Sequence, residues 1–214
     1  MPAFTIGDCI SYGWDTFKKR PGILIGAVLL TMIIPALPGV IVPGPEVTPG
    51  ELPPPPTLAQ IVATFVSAIL GLFMAIGAVT VALRAHDDVG AVTLSDIWNP
   101  QPFWRFLGAH ILVAIGVLIG LMLLVIPGII LAVGLTFVPY LIVDRGAGIV
   151  QSLQDSWRLT KGHKLQLFFL MLTLLGLNIV GLLCFIVGIL VTVPITWVAV
   201  AHAYRTLSSA HAAS

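Results

Sequence analysis

Two long stretches of the chain carry no charged side chain: the 38 residues between Arg105 and Asp144, and the 40 between Lys164 and Arg205. At about 1.5 Å of rise per residue, each would build a helix of roughly 60 Å, twice the ~30 Å hydrocarbon core of a bilayer. Neither can be a single crossing, so each must double back. Pro127-Gly128 divides the first run into 106–126 and 129–143, because proline removes a helical donor and the dipeptide favours a turn. No such dipeptide divides the second, whose turn is placed near 184–188 between spans 165–184 and 188–207. The N-terminal third repeats the arrangement: an apolar run over 22–42, a Pro-rich connector over 43–57 (PGPEVTPGELPPPPT) that cannot be helical, and a second run over 58–83. The pattern predicts an all-α integral membrane protein of six transmembrane helices, paired as three hairpins.

Between these runs lie segments of a different periodicity. In 144–164 (DRGAGIVQSLQDSWRLTKGHK), helical spacing puts Ile149, Val150, Leu153 and Trp157 on one face and Gln151, Gln154, Asp155, Arg158 and Lys161 on the other. A surface helix of a soluble protein would show the same pattern. The apolar neighbours on both sides favour a helix lying in the plane of the bilayer surface. Segment 4–20 places Ile6, Ile10, Gly13, Trp14 and Phe17 against Asp8, Ser11, Asp15, Lys18 and Lys19, which predicts a second interfacial helix. Aligning Trp14 with Trp157 brings Lys18 onto Lys161. Segment 92–105 is a shorter, Pro-broken version with Trp98 and Trp104. The chain then reads as three units of one plan, although basic membrane flanks can resemble one another by chance.

Composition agrees with the pattern: 58% of residues are hydrophobic, 9% are charged and mean hydropathy is +1.07, whereas about a quarter of a soluble domain is charged. With six spans, all ten basic residues fall on the side that holds both termini and the loops 84–105 and 144–164. The positive-inside rule assigns that side to the cytoplasm and leaves the connector, with Glu46 and Glu51, outside. A net charge of +1 spread along the chain forms no basic stripe, so no nucleic-acid partner is expected. The first span reads as a signal anchor rather than a cleaved signal peptide. Cys9 and Cys184 fall at opposite ends of the spans and cannot be bridged.

Catalytic chemistry is sparse. No acidic residue lies within a span, and the chain lacks a phosphate loop, GxSxG, HExxH and CxxC. The cluster His86, Asp87 and Asp88 reads as a solvated, charged helix end. Its convergence on a metal would be needed to restore a lipid-acting enzyme, so the chain is expected to be neither an enzyme nor a carrier of any cofactor or metal. Intramembrane polar residues are His110 and His202, both near the cytoplasmic interface, and Asn178, accompanied by Thr31, Thr136, Thr173, Thr192 and Thr196. An asparagine so placed is more often an interhelical hydrogen bond than a ligand group. Pro35, Pro38, Pro139 and Pro194 are candidate kinks, and Gly116, Gly120, Gly134 and Gly181 candidate close approaches.

The Pro-Gly-divided hairpin, the Asp144-Arg145 pair, the segment QSLQDSWRLTKGHK and the last span through Pro194 to Ala203-Tyr204-Arg205 resemble a bacterial membrane-protein superfamily. It comprises the YciC-like inner-membrane proteins and the membrane domain attached to some glycerophosphodiester phosphodiesterases. The resemblance covers most of 106–207, and more loosely Tyr12-Gly13-Trp14. It implies a helical inner-membrane protein with about six spans and no activity of its own, since the phosphodiesterase barrel needs ~250 further residues. On these grounds the chain is expected to be a non-catalytic accessory or organising component of the bacterial inner membrane. Trp14, Trp104 and Trp157, with Lys18, Lys19, Arg20, Arg158, Lys161 and Lys164, would face anionic headgroups, and other membrane proteins or further copies would be its protein partners. The alternative is a small transporter or channel with a path near Asn178.

Overall fold

The computed structural model describes residues 4–44 and 54–212, with the side chains of 185, 186 and 212 outside that description. Those residues form nine α-helices and two short 3-10 turns, and no strand occurs among them. The helices are α1 (Ile6–Lys19), α2 (Pro21–Ile41), α3 (Leu58–Asp88), α4 (Phe103–Leu123), α5 (Val125–Gly134), α6 (Val138–Arg145), α7 (Ile149–Leu159), α8 (Lys164–Leu183) and α9 (Phe185–Ala212). Six segments are long and apolar enough to cross a bilayer: Pro21–Ile41, Leu58–Ala91, Phe103–Leu123, Val125–Arg145, Lys164–Leu183 and Val187–His211. These are the helices of a multi-pass membrane protein. Most of the Pro-rich connector, including Glu46 and Glu51, lies outside the described residues.

Local sequence explains the boundaries. Thr57 caps α3 through a capping box: its hydroxyl accepts from the Gln60 N–H at 3.3 Å, and the Gln60 side chain accepts from the Thr57 N–H at 2.8 Å. The turn after α4 falls at the extended residue Leu124, ahead of the expected Pro127-Gly128. Pro127 sits instead in the first turn of α5, where helix N–H groups have no internal partner and its missing donor costs little. Gly128 lies in α5 against α4, and a Cβ on Gly120 would come within 2.9 Å of its Cα. The pairing relies on both residues lacking side chains. Gly116 faces open space, so only the second glycine of that GxxxG makes a close approach.

Two expected elements differ in form. The span drawn over 129–143 is interrupted at 135–137, between α5 and α6, and Pro139 starts α6 rather than kinking it. Segment 92–105 is no interfacial helix before Phe103. It folds as 3-10 turns, buries Val92 and Ile97 beside α3, and stacks Trp98 on Phe73 at 5.3 Å.

Helix α9 is the centre of the bundle, packing on α1, α2, α3, α7 and α8. Its small buried residues Ala199, Ala201 and Ala203 let neighbours come close. Helix α1 crosses it so tightly that a Cβ on Gly13 would lie 2.7 Å from the Ile195 carbonyl oxygen. Apolar side chains at the far helix ends, among them Ile41, Leu58, Met122, Leu123 and Leu183, are more than two-thirds exposed. In a bilayer such residues face lipid.

Candidate functional site

The polar chemistry gathers where the ends of α1, α3, α6 and α9 meet, and it forms two distinct places. The first is a closed network. Arg205 of α9 donates to Asp87 of α3 through Nε at 3.0 Å and Nη2 at 2.6 Å, and to Oδ2 of Asp144 on α6 through Nη1 at 2.9 Å. The Tyr204 hydroxyl donates to the same Asp144 oxygen at 2.9 Å. Asp87 also meets the His86 Nδ1 at 3.1 Å, while His86 Nε2 lies 3.1 Å from His202 Nδ1, so one of those two ring nitrogens donates and the other accepts. The Tyr12 ring stacks on His202 with centroids 4.5 Å apart, and its hydroxyl donates to the His86 carbonyl oxygen at 2.6 Å. Burial pushes the Tyr12 phenol above its ordinary range, which keeps that donor proton in place.

His86, Asp87 and Asp88 do form the charged end of α3, with Asp87 and Asp88 exposed, but His86 and Asp87 are also tied to α9. Only Asp88 behaves as a local cap, accepting from the Gly90 N–H at 2.8 Å. Among the described residues no group of three or more His, Cys, Asp or Glu side chains is arranged to hold a metal ion. The network satisfies its own charges and ties four helices together. Sequence offered little warning of it, because His86 and His202 are 116 residues apart.

The second place is the corner of α7, α8 and the α5–α6 break. Ser152, Ser156 and Thr160, one helical turn apart, are fully buried and form the inner face of α7. The Ser156 hydroxyl donates to the Gly134 carbonyl at 2.9 Å and accepts from the Phe137 N–H at 3.2 Å, and the Thr160 hydroxyl lies 3.2 Å from the same carbonyl. A helix can break within a membrane protein only where such partners replace the lost backbone bonds. The predicted apolar face is divided: Ile149 and Leu153 pack beside Phe106 and Val138, whereas Val150 and Trp157 are exposed. Lys164 sets its ammonium 2.8 Å from the Trp157 ring centroid, an attraction of ~0.5–2 kcal/mol.

Among the other proposed headgroup residues, Lys18 pairs with Asp15 at 2.9 Å and lies 6.0 Å from the exposed Trp14 ring. Arg20 is committed to the carbonyls of Gly90 and Val92, Lys19 is exposed, and Trp104 is 79% exposed. Arg84 pairs with Asp96, Arg105 donates to the Gly146 carbonyl, and Arg145 lies 4.0 Å from Asp144. Among the described residues Lys19, Arg20, Arg105, Arg158, Lys161 and Lys164 have no carboxylate at ion-pair distance; Arg20 and Arg105 are held by backbone carbonyls, and three of the other four lie in the α7–α8 corner. Arg158, Lys161, His163 and His211 line one small pocket of about 150 Å³ there.

The intramembrane residues separate. Asn178 joins α8 to α9, its amide donating to the Leu174 carbonyl and the Thr196 hydroxyl, each at 2.8 Å. His110 lines a pocket of about 250 Å³ between α3, α4 and α6, with its ring parallel to Phe106 at 6.3 Å. His202 belongs to the closed network. Both cysteines are free; Cys9 is buried, which pushes its thiol up to about 12, and Cys184 is exposed.

Comparison with curated proteins and with solved structures finds no match. Residues 57–211, which run from the cap of α3 into the last turn of α9 and take in both polar places apart from Tyr12, match the family described as "Protein of unknown function (DUF975)". With most of its length covered by that match, the chain belongs to this family.

Proposed function

We propose that the protein is a non-catalytic component of a bacterial inner membrane, with both termini in the cytoplasm. In this reading it holds anionic lipid against its basic end and serves as an accessory or organising partner of other membrane proteins. Helices α1 and α7 lie at the membrane surface, with Trp14 and Trp157 at headgroup level. The observation that carries the reading is the distribution of partners among the cations. Lys18, Arg84, Arg145 and Arg205 meet carboxylates and Arg20 and Arg105 meet backbone carbonyls, while Arg158, Lys161 and Lys164, close together in sequence, have no carboxylate at ion-pair distance among the described residues and lie beside exposed apolar surface. Each such residue near an anionic surface contributes ~1 kcal/mol of attraction. The likeness of 106–207 to YciC-like inner-membrane proteins fits this reading and brings no reaction with it.

The native cysteines supply the test of sidedness. Exposed Cys184 reacts with a membrane-impermeant maleimide in right-side-out vesicles, and Cys9, buried with its thiol raised to about 12, stays unlabelled from either side. Labelling of Cys184 only in inverted vesicles reverses the topology. Lipid extracted with the purified chain should be enriched in phosphatidylglycerol over phosphatidylcholine, and equal recovery of the two defeats the lipid-holding half of the proposal. A chain that purifies alone in mild detergent defeats the partner half.

One observation favours a second reading, a small transporter or channel with a path near Asn178. The Asn178 Oδ1 and the Thr192 hydroxyl are buried without a hydrogen-bond partner. Flux through reconstituted vesicles that Asn178→Leu abolishes would favour it.

A further inference from the structure

Helix α8 presents 20 apolar-rich residues beginning at Lys164, about 30 Å of helix, which matches the hydrocarbon thickness and sets Lys164 at headgroup depth. Helix α5 is only ten residues long and ends at Gly134, where the chain turns away into α6 beside α3, α4 and α7. Between α5 and α8 this leaves an apolar groove of about 390 Å³ that starts at Lys164 and is lined by Ile126, Ile130, Val133, Leu165 and Phe168 among others. Its length from Ile126 to Val133 is about 10 Å along α5.

The head of the groove is built rather than incidental. A Cβ on Gly134 would meet the Trp157 ring at 2.5 Å and the Lys164 Nζ at 3.4 Å, so both rest on bare backbone. The ring is pressed against the broken helix, and the ammonium lies over its face 2.8 Å from the centroid. An ammonium carries three N–H donors, and an aromatic face satisfies one side only. No carboxylate lies at ion-pair distance from Lys164, Lys161 or Arg158 among the described residues.

We infer that this groove seats one phospholipid with an anionic headgroup, its phosphate at Lys164 and an acyl chain along Ile126, Ile130 and Phe168. The inference rests on the lipid-holding reading above and narrows it from a diffuse basic belt to a single seat. A zwitterionic lipid brings its own cation toward Lys161 and Arg158, whereas an anionic headgroup meets attraction only.

Native mass spectrometry of the full chain, released from micelles containing equal phosphatidylglycerol and phosphatidylcholine, tests the inference. One phosphatidylglycerol per chain is expected to survive conditions that strip phosphatidylcholine. Lys164→Gln should lower that adduct about tenfold, the loss of roughly one charge-assisted contact. Lys164→Arg, which keeps the charge, should retain it. Ile130→Trp, which fills the groove and leaves every cation in place, should lower it as well, and millimolar inorganic phosphate should fail to displace it. Enrichment without a one-to-one adduct, with equal losses for Lys19→Gln, Lys161→Gln and Lys164→Gln, overturns the seat while the belt survives. Displacement by inorganic phosphate overturns the acyl slot, and equal retention of both lipids by the unaltered chain overturns seat and belt together.

Discussion

Arg205 and Lys164 stand at two corners of the same bundle and do opposite things with a positive charge. Arg205 is paired with Asp87 and with Asp144, which also accepts from the Tyr204 hydroxyl, so its charge is used up in joining α9 to α3 and α6. Lys164 has an aromatic ring below it and no carboxylate at ion-pair distance among the described residues, which in the proposed reading leaves its charge for an anionic headgroup. The basic residues of this chain are thus of two kinds, and their count along the sequence does not separate them. One kind holds the fold together; the other is available to the surroundings.

The contrast is sharpest in stability. Arg205→Ala leaves Asp87 and Asp144 facing one another's surroundings without their shared cation, and should lower unfolding stability by about 2–3 kcal/mol, below the figure for a fully buried pair because Arg205 is 28% exposed. Thermal unfolding in detergent measures it, and a change under 0.5 kcal/mol would erase the distinction. Within the other corner, hydroxyls rather than charges should carry the fold. Ser156→Ala strands the Phe137 N–H and leaves the Gly134 carbonyl to the Thr160 hydroxyl alone, and should cost about 1–2 kcal/mol by the same assay. Asn178→Leu removes one interhelical bond and one orphaned oxygen together, and should change stability by less than ~1 kcal/mol. Lys161→Gln should shift unfolding by no more than ~0.5 kcal/mol while reducing lipid selectivity. A larger loss would show that Lys161, like Arg205, has a structural duty.

The spans were legible because an uncharged run too long for one crossing leaves the chain little choice, and six apolar helices follow from that length argument. Boundaries were less so. Pro127 looked like a turn, yet proline is harmless in the first turn of a helix, and the break came earlier at Leu124. The inner face of α7 was invisible for a similar reason: Ser156 and Thr160 are polar and so read as outward, unless a broken helix elsewhere supplies a carbonyl for them to meet. The His86–His202 contact joins positions whose separation no local pattern bridges. Of the candidate headgroup residues, Trp157 and Lys164 come into contact, a pairing that helical spacing did not show. Nor could the sequence show that Arg20 is committed to loop carbonyls.

The interruption between α5 and α6 also bears on how the molecule is made. Its Gly134 carbonyl waits for a hydroxyl that lies 22 residues further along, so while the ribosome has delivered only the fourth crossing, that oxygen has no permanent protein partner. Buried without one, it would cost about 1–3 kcal/mol. The half-made hairpin should accordingly linger near the aqueous boundary and settle only after the Ser156 turn emerges, which makes assembly of this part of the bundle sequential by construction.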